Sequence, residues 1–247
     1  MTPLIFIVII VVHYFGSLFL HSFFLHRYAT HQQCTMSRGA EKFFLFLTWL
    51  FQGSAHLQPE TYARLHLQHH EHSDTEDDPH SPEHTGNVFK MMWQTKNIYD
   101  DIKYFKHRAN QLYKDRTFPQ WKDFQWFSDS TFSLLLMGAV FISFYIFFAP
   151  VWWCWLFLPF TLLNGPVQGA IVNWCGHKYG YRNHLISDNS HNTGWFAGLL
   201  SMGELYQNNH HANARKPNFG DYWWEIDPTY LGMLFLEWLG LIKLVRS

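Results

Sequence analysis

Three stretches of this chain are apolar for a long distance: residues 4–25 (LIFIVIIVVHYFGSLFLHSFFL), 131–149 and 151–172. Each runs for about 19–22 residues, and at ~1.5 Å per residue a helix of that length crosses the ~30 Å hydrocarbon layer of a membrane. Between and after them the pattern turns polar and rich in histidine, over residues 58–130 and 176–247. Two further apolar runs are too short to cross. Residues 43–57 (FFLFLTWLFQGSAHL) would cover only about 22 Å, so they read as a helix dipping into or lying along the membrane. Ser37 is its expected N-cap, with Glu41 in the first turn. Residues 230–242 (YLGMLFLEWLGLI) read as an interfacial helix. The pattern predicts an all-α integral membrane protein, residues 1–247 forming a single domain. It has about three transmembrane helices, in-plane or interfacial helices, and a cytosolic, histidine-rich helical cap.

Charge orients this arrangement. All 18 Lys and Arg lie within residues 27–130 or 178–246, with none before the first run and none around Ala149, Pro150 and Val151. Basic residues stay on the cytoplasmic side, so both stretches belong there. That requires an odd number of crossings, an N-terminus outside and a C-terminus inside. The first run reads as a span rather than a cleaved signal, because no basic residue precedes it and no small-residue cleavage site follows. The cysteines Cys34, Cys154 and Cys175 are scattered and form no disulfide framework. A net charge of −1 leaves no basic stripe for nucleic acid.

The chemistry lies in the histidines. There are 17, nearly as many as all Lys and Arg together, and neutral imidazole is the commonest metal ligand. His66, His69 and His70 are spaced i, i+3, i+4, which puts them on one face of a helix. Asn173 and His177 are i, i+4 at the end of the third apolar run. Gln207, His210 and His211 repeat the first spacing, so Gln207 should point at the same metal site as its two neighbours. His26 and His31 are five apart, and an ideal α-helix would rotate them ~140° from each other. The first span must therefore unwind or turn near Tyr28 to Thr30 if both face one centre. His56, His84 and His107 stand alone and read as ordinary hydrogen-bonded residues, while His13 and His21 face the helix bundle. His72 and His80 flank the second group. Eight clustered histidines with nearby amides exceed what one tetrahedral zinc needs, and fit two metals better. Ligand type alone leaves Fe, Zn and Cu open.

HxxxxH, then HxxHH, then a late xxxHH on a membrane scaffold resembles the three-histidine-box pattern of membrane fatty-acid desaturases and related hydroxylases. The resemblance is nearest to acyl-CoA (stearoyl-CoA-like, delta-9) desaturases of the short bacterial type, and it covers nearly the whole chain. His26-Arg27 through His31 resembles the first box. Arg64 and His66 through His70, trailed by Ser73, Asp78, Pro79 and His80, resemble the second. Asn173 and His177 match an NxxxH element, and Gly203-Glu204 with Asn208 through His211 resemble the third box. One departure is plain: the family's HxxHH is here QxxHH, with Gln207 first.

The resemblance implies an O2-dependent oxidoreductase with two Fe2+ per chain, introducing a cis double bond into a saturated fatty acyl chain, with acyl-CoA as the carrier. The implied ligands are His26, His31, His66, His69, His70, His177, His210 and His211, with Asn173 acting through a water. Gln207 is a further donor unless a spare histidine, His72 or His191, fills its place. Arg64 stands where similar enzymes contact coenzyme A. No cytochrome b5-like domain is fused here, so electrons are expected from a separate ferredoxin, rubredoxin or cytochrome b5 with its reductase. A multi-pass bacterial inner-membrane location follows, with the site on the cytoplasmic side. Two other readings compete: a histidine-box hydroxylase or ketolase acting on an alkyl or isoprenoid chain, and a non-catalytic membrane metal-binding protein.

Overall fold

A computed structural model describes residues 1–104, 113 and 115–246; His107 lies outside the described residues. Helix α1 (Pro3–Leu20) begins behind Thr2, whose hydroxyl accepts the Ile5 N–H at 3.3 Å, with Pro3 in the first turn where its missing donor costs nothing. It runs on without a break into a π-helical stretch, His21–Thr30, making a rod of 28 residues. This is how the chain solves the five-residue spacing. In a π-helix each N–H reaches the carbonyl five residues back, and His31 N–H donates to the His26 carbonyl at 3.1 Å. The two imidazoles meet edge to face on one side, their rings 4.9 Å apart, by widening of the helix rather than by its unwinding.

Helix α6 (Thr131–Phe148) is the second one long and apolar enough to cross a membrane. Both rods leave large apolar side chains bare, including Leu4 at 71%, Leu135 at 69% and Phe147 at 77% exposure. Rows of this kind are covered by lipid in a membrane protein.

The run over 151–172, expected as one span, is bent at a break. A 3₁₀ turn (Trp152–Phe157) leads into α7 (Leu158–Leu162), and α8 (Asn164–Cys175) follows at a bend of 69°. Pro166 supplies the reason: inside a helix it has no N–H, and its ring collides with the carbonyl four residues earlier. Asn164 sits at the break and donates its amide to the Ser17 hydroxyl of α1 at 2.7 Å, in a buried position. The break thus meets a polar partner.

Helix α2 (Arg38–Gln52) starts at Ser37, whose Oγ accepts the Ala40 N–H at 3.2 Å, and carries Glu41 in its first turn. It packs antiparallel to α1. Glu41 takes the Tyr28 hydroxyl at 2.6 Å near one end, and Phe51 stacks on His13, halfway along α1, at the other. There it stops. Gly53 has φ +53°, a left-handed conformation that glycine adopts without penalty, and a β-carbon there would overlap the Phe141 ring of α6. A short 3₁₀ turn (Gly53–Ala55) then sends the chain back as α3 (Pro59–His72). The apolar run 43–57 therefore dips alongside the spans and returns.

Helix α11 (Pro228–Trp238) buries Met233 and leaves Leu231, Phe235 and Trp238 exposed on one face, the layout of an interfacial helix. Residues after it depart from an all-helical reading. Strand β2 (Ile242–Leu244) pairs antiparallel with β1 (Cys34–Met36), tying the C-terminal segment to the chain just past His31. A core of Phe23, Phe24, Leu25, Phe44, Leu45 and Met233 fills the space between the π-helical stretch, α2 and α11.

Candidate metal centre

The four histidine-bearing segments meet at one end of the bundle, beyond the depth reached by Phe51. His26 and His31 come from the π-helical stretch, His66, His69 and His70 from α3. His177 follows α8, and His210 and His211 come from α10 (Gln207–Ala212). All eight lie in two adjoining groups. His26, His31, His66, His70 and His210 form one, and His69, His177 and His211 the other, with one ring nitrogen of each within 4.8 Å of the rest of its group. The groups touch: the rings of His70 and His211 are 4.4 Å apart.

In the larger group, Nε2 of His210 is 3.0 Å from Nε2 of His26 and 3.0 Å from Nε2 of His70, which is itself 3.0 Å from Nε2 of His66. Hydrogen bonds cannot explain this chain. Nδ1 of His26 faces Glu204 Oε2 at 2.5 Å, so the proton of a neutral His26 sits there and Nε2 is a lone pair. His210 must then spend its single Nε2 proton on His26, and it offers His70 neither a second proton nor a lone pair. A shared cation satisfies all three contacts: two nitrogens ~2.1 Å from one ion and at right angles lie ~3.0 Å apart. The Nε2 atoms of His31, His177 and His211 are buried with no partner, the state of donors shaped for an ion. On this test the residues fit a pair of metal ions.

The opposite ring nitrogens are held by carboxylates. Asp78 receives Nδ1 of His69 at 2.9 Å, Asp74 that of His177 at 2.9 Å, and Asp188 that of His211 at 2.8 Å. Such contacts fix the tautomer and aim Nε2 inward. Glu204 does the same for His26 and is steadied by the Ser22 hydroxyl and by Arg27, 3.7 Å away. Burial first, and then the neighbouring imidazoles, hold His66, His69, His70 and His210 well below the ordinary histidine value. They are neutral, as metal ligands must be.

A cavity of about 290 Å³ opens from the groups between α3, α8 and α4 (Val88–Tyr104). Its wall is mostly apolar, with Leu57, Leu65, Met92 and Val172, and its end at the centre is formed by His26, His66, His80 and Gln207. Asn173 lines it too. Gln207 donates its amide N–H to the Glu204 carbonyl at 2.5 Å. Arg64 is not in this wall; it faces Glu60 at 2.9 Å and lies 5.0 Å over the Phe118 ring. Of the spare histidines, His191 turns to the Asn189 carbonyl and His72 joins neither group. His21 contacts Tyr62 and Gln52, His56 pairs with Asp129, and His84 lies 3.0 Å from the Asp74 carbonyl. Asp74 and Asp188 carry no pattern that sequence reasoning singled out, since each is remote in sequence from the histidine it holds.

A model of the family described as "Fatty acid desaturase" matches residues 1–230. The chain belongs to the fatty acid desaturase family. Among similar proteins, a delta-9 desaturase-like protein of Arabidopsis thaliana is 30% identical over 213 residues, 81% of this chain and 63% of its own length. An sn-1 stearoyl-lipid 9-desaturase of Synechocystis is 30% identical, over 75% of this chain and 55% of its own. An acyl-CoA 5-desaturase of Anemone leveillei is 28% identical, over 88% of this chain and 64% of its own. The chain thus spans rather less than two thirds of these desaturases.

Proposed function

We propose that the protein is an O2-dependent desaturase that introduces a cis double bond into a saturated fatty acyl chain, with coenzyme A as acyl carrier. The observation that carries this reading is the convergence of eight imidazoles in two adjoining groups, two of which, His26 and His66, form the end of an apolar cavity. His26, His31, His66, His70 and His210 would hold one ion of an iron pair, and His69, His177 and His211 the other, with Asn173 acting through a water. The chemistry that such a pair supplies when bound is activation of O2 for hydrogen removal from an unreactive methylene pair, which no side chain here can accomplish. The side chains do the rest. Leu57, Leu65, Met92 and Val172 keep the chain extended and dry beside the centre. Glu204, Asp74, Asp78 and Asp188 hold the Nδ1 protons of their histidines away from it.

Two of the four electrons that reduce O2 to water come from the acyl chain. The other two come from a carrier protein of the ferredoxin, rubredoxin or cytochrome b5 type with its reductase. The basic residues support a multi-pass inner-membrane protein with the site on the cytoplasmic face. The hairpin around Ala149 is at the far end, where Tyr145 packs against Phe6 at 5.2 Å. Expression in a host lacking unsaturated fatty acids tests the reading: new double bonds should appear in its lipids, and not with His70→Ala. Purified protein supplied with stearoyl-CoA or with stearoyl-lipid separates the two carriers. Hydroxylated acyl chains, or no product from iron-loaded protein, would defeat it.

A further inference from the structure

Every predicted ligand histidine has a use in this site, but one further histidine does not. His80 is 3% exposed, and both of its ring nitrogens are buried without a partner. Among the described residues it is the one imidazole of which both are true. A neutral ring carries one N–H and one lone pair, and leaving both unmet in a protein interior is costly. Its position is fixed by the chain. Asp78 accepts the His80 N–H at 2.9 Å and the Asp74 N–H at 2.7 Å while also receiving Nδ1 of His69. Pro79 stiffens the turn between. The His80 ring is thereby set 4.2 Å from that of His69; His69, Asp78 and His80 each bring an atom within 4.8 Å of the others, a set that adjoins the group of His69, His177 and His211 through His69.

The two metal groups are unequal, five imidazoles against three. The position that would even them out is Gln207, on the face of α10 that carries His210 and His211; its amide N–H donates to the Glu204 carbonyl, and an amide has no nitrogen lone pair to offer a metal, only its oxygen. His80 and Gln207 share one cavity wall.

We infer that His80 supplies the nitrogen donor that Gln207 does not, completing the smaller group as a four-histidine site of His69, His80, His177 and His211. This rests on the metal-pair reading above. Neither His72 nor His191 takes that role.

Metal content decides it, without recourse to activity. The full-length protein in detergent is loaded anaerobically with Fe2+, and in parallel with Zn2+ alone, desalted, and its metal measured per chain by mass spectrometry. The parent should retain two ions. His80→Ala should retain one, with affinity at the second site lowered at least 10–100-fold. Placing the imidazole at the other position, His80→Ala with Gln207→His, should restore the second ion, which a merely structural role for His80 would not allow. Two ions held by His80→Ala at parental affinity, or a loss that Gln207→His does not repair, overturns the inference. If His80→Ala aggregates, the double variant decides alone: monodisperse with two ions supports the assignment, and aggregated or holding one refutes it. A parent that binds no metal pair refutes the metal-pair reading itself, whatever His80 does.

Discussion

Removing the carboxylate of Asp227 should destabilise this protein more than any other single surface-remote polar change, because of what it leaves behind. Arg27 and Asp227 are both fully buried. The guanidinium meets Asp227 twice, at 2.8 and 3.1 Å, donates to the Pro217 carbonyl at 2.6 Å, and lies 3.8 Å over the Phe219 ring. In Asp227→Ala it keeps only the carbonyl and the ring, with Glu204 as the nearest anion. Stranding one partner of a buried pair costs about 3–5 kcal/mol. Asp227 also caps α11 by accepting the Tyr230 N–H at 3.0 Å, which adds about 1 kcal/mol. At roughly 2–4 °C per kcal/mol for a chain of this size, the midpoint of thermal unfolding in detergent should fall by roughly 8–24 °C. Arg27 should also swing toward Glu204 and loosen its hold on His26, so metal retention should drop alongside. The double change Arg27→Met with Asp227→Leu strands no charge and should recover much of the lost stability. A midpoint for Asp227→Ala within roughly 2 °C of the parent would show that the pair does not carry this weight.

Other outcomes follow from single contacts. Gly53→Ala forces a β-carbon into the Phe141 ring at positive φ and should cost about 1–3 kcal/mol, read by the same melt; Phe141→Leu in the same chain should return part of it, and no change in either would refute the contact. Pro166→Ala should relax the 69° bend only in part, because Asn164 stays bonded to Ser17, whereas Pro166→Ala with Asn164→Leu should straighten it; spin-label distances between α7 and α8 report which, and no change in either variant would refute the assignment. Arg64→Ala should leave iron content intact, and an unchanged apparent affinity for acyl-CoA would remove Arg64 from head-group recognition. Reporters fused after Ser247 and inserted at Pro150 should report opposite sides of the membrane; the same side for both would exclude the three-crossing topology.

The histidine groups were legible because helical spacing is short-range: i, i+3, i+4 puts His66, His69 and His70 on one face whatever surrounds them. The five-residue spacing of His26 and His31 gave the problem correctly but not the answer, since a 100° wheel has no place for a π-helical turn. The broken third span was hidden by its own hydrophobicity. Asn164 and Pro166 were present in the run, but mean apolarity over 151–172 outvotes two residues whose effect is local geometry. Asp74 and Asp188 were not readable at all. Asp74 serves a histidine 103 positions away, and only the fold brings them together. The pairing of β2 with β1 escaped for the same reason.

A π-helical turn closes over one residue more than an α-helical turn does, so His26 and His31 stand a single codon from an ordinary i, i+4 pair. Inheritance should treat this segment and α3 differently. Loss of Ala29 would let the backbone fall back to four-residue bonding with both histidines still on one face. Loss of Leu67 would rotate His69 and His70 away from His66 by about 100° and scatter both groups at once. Length change is thus nearly silent in one box and ruinous in the next, and the metal content of the two deletions should differ accordingly.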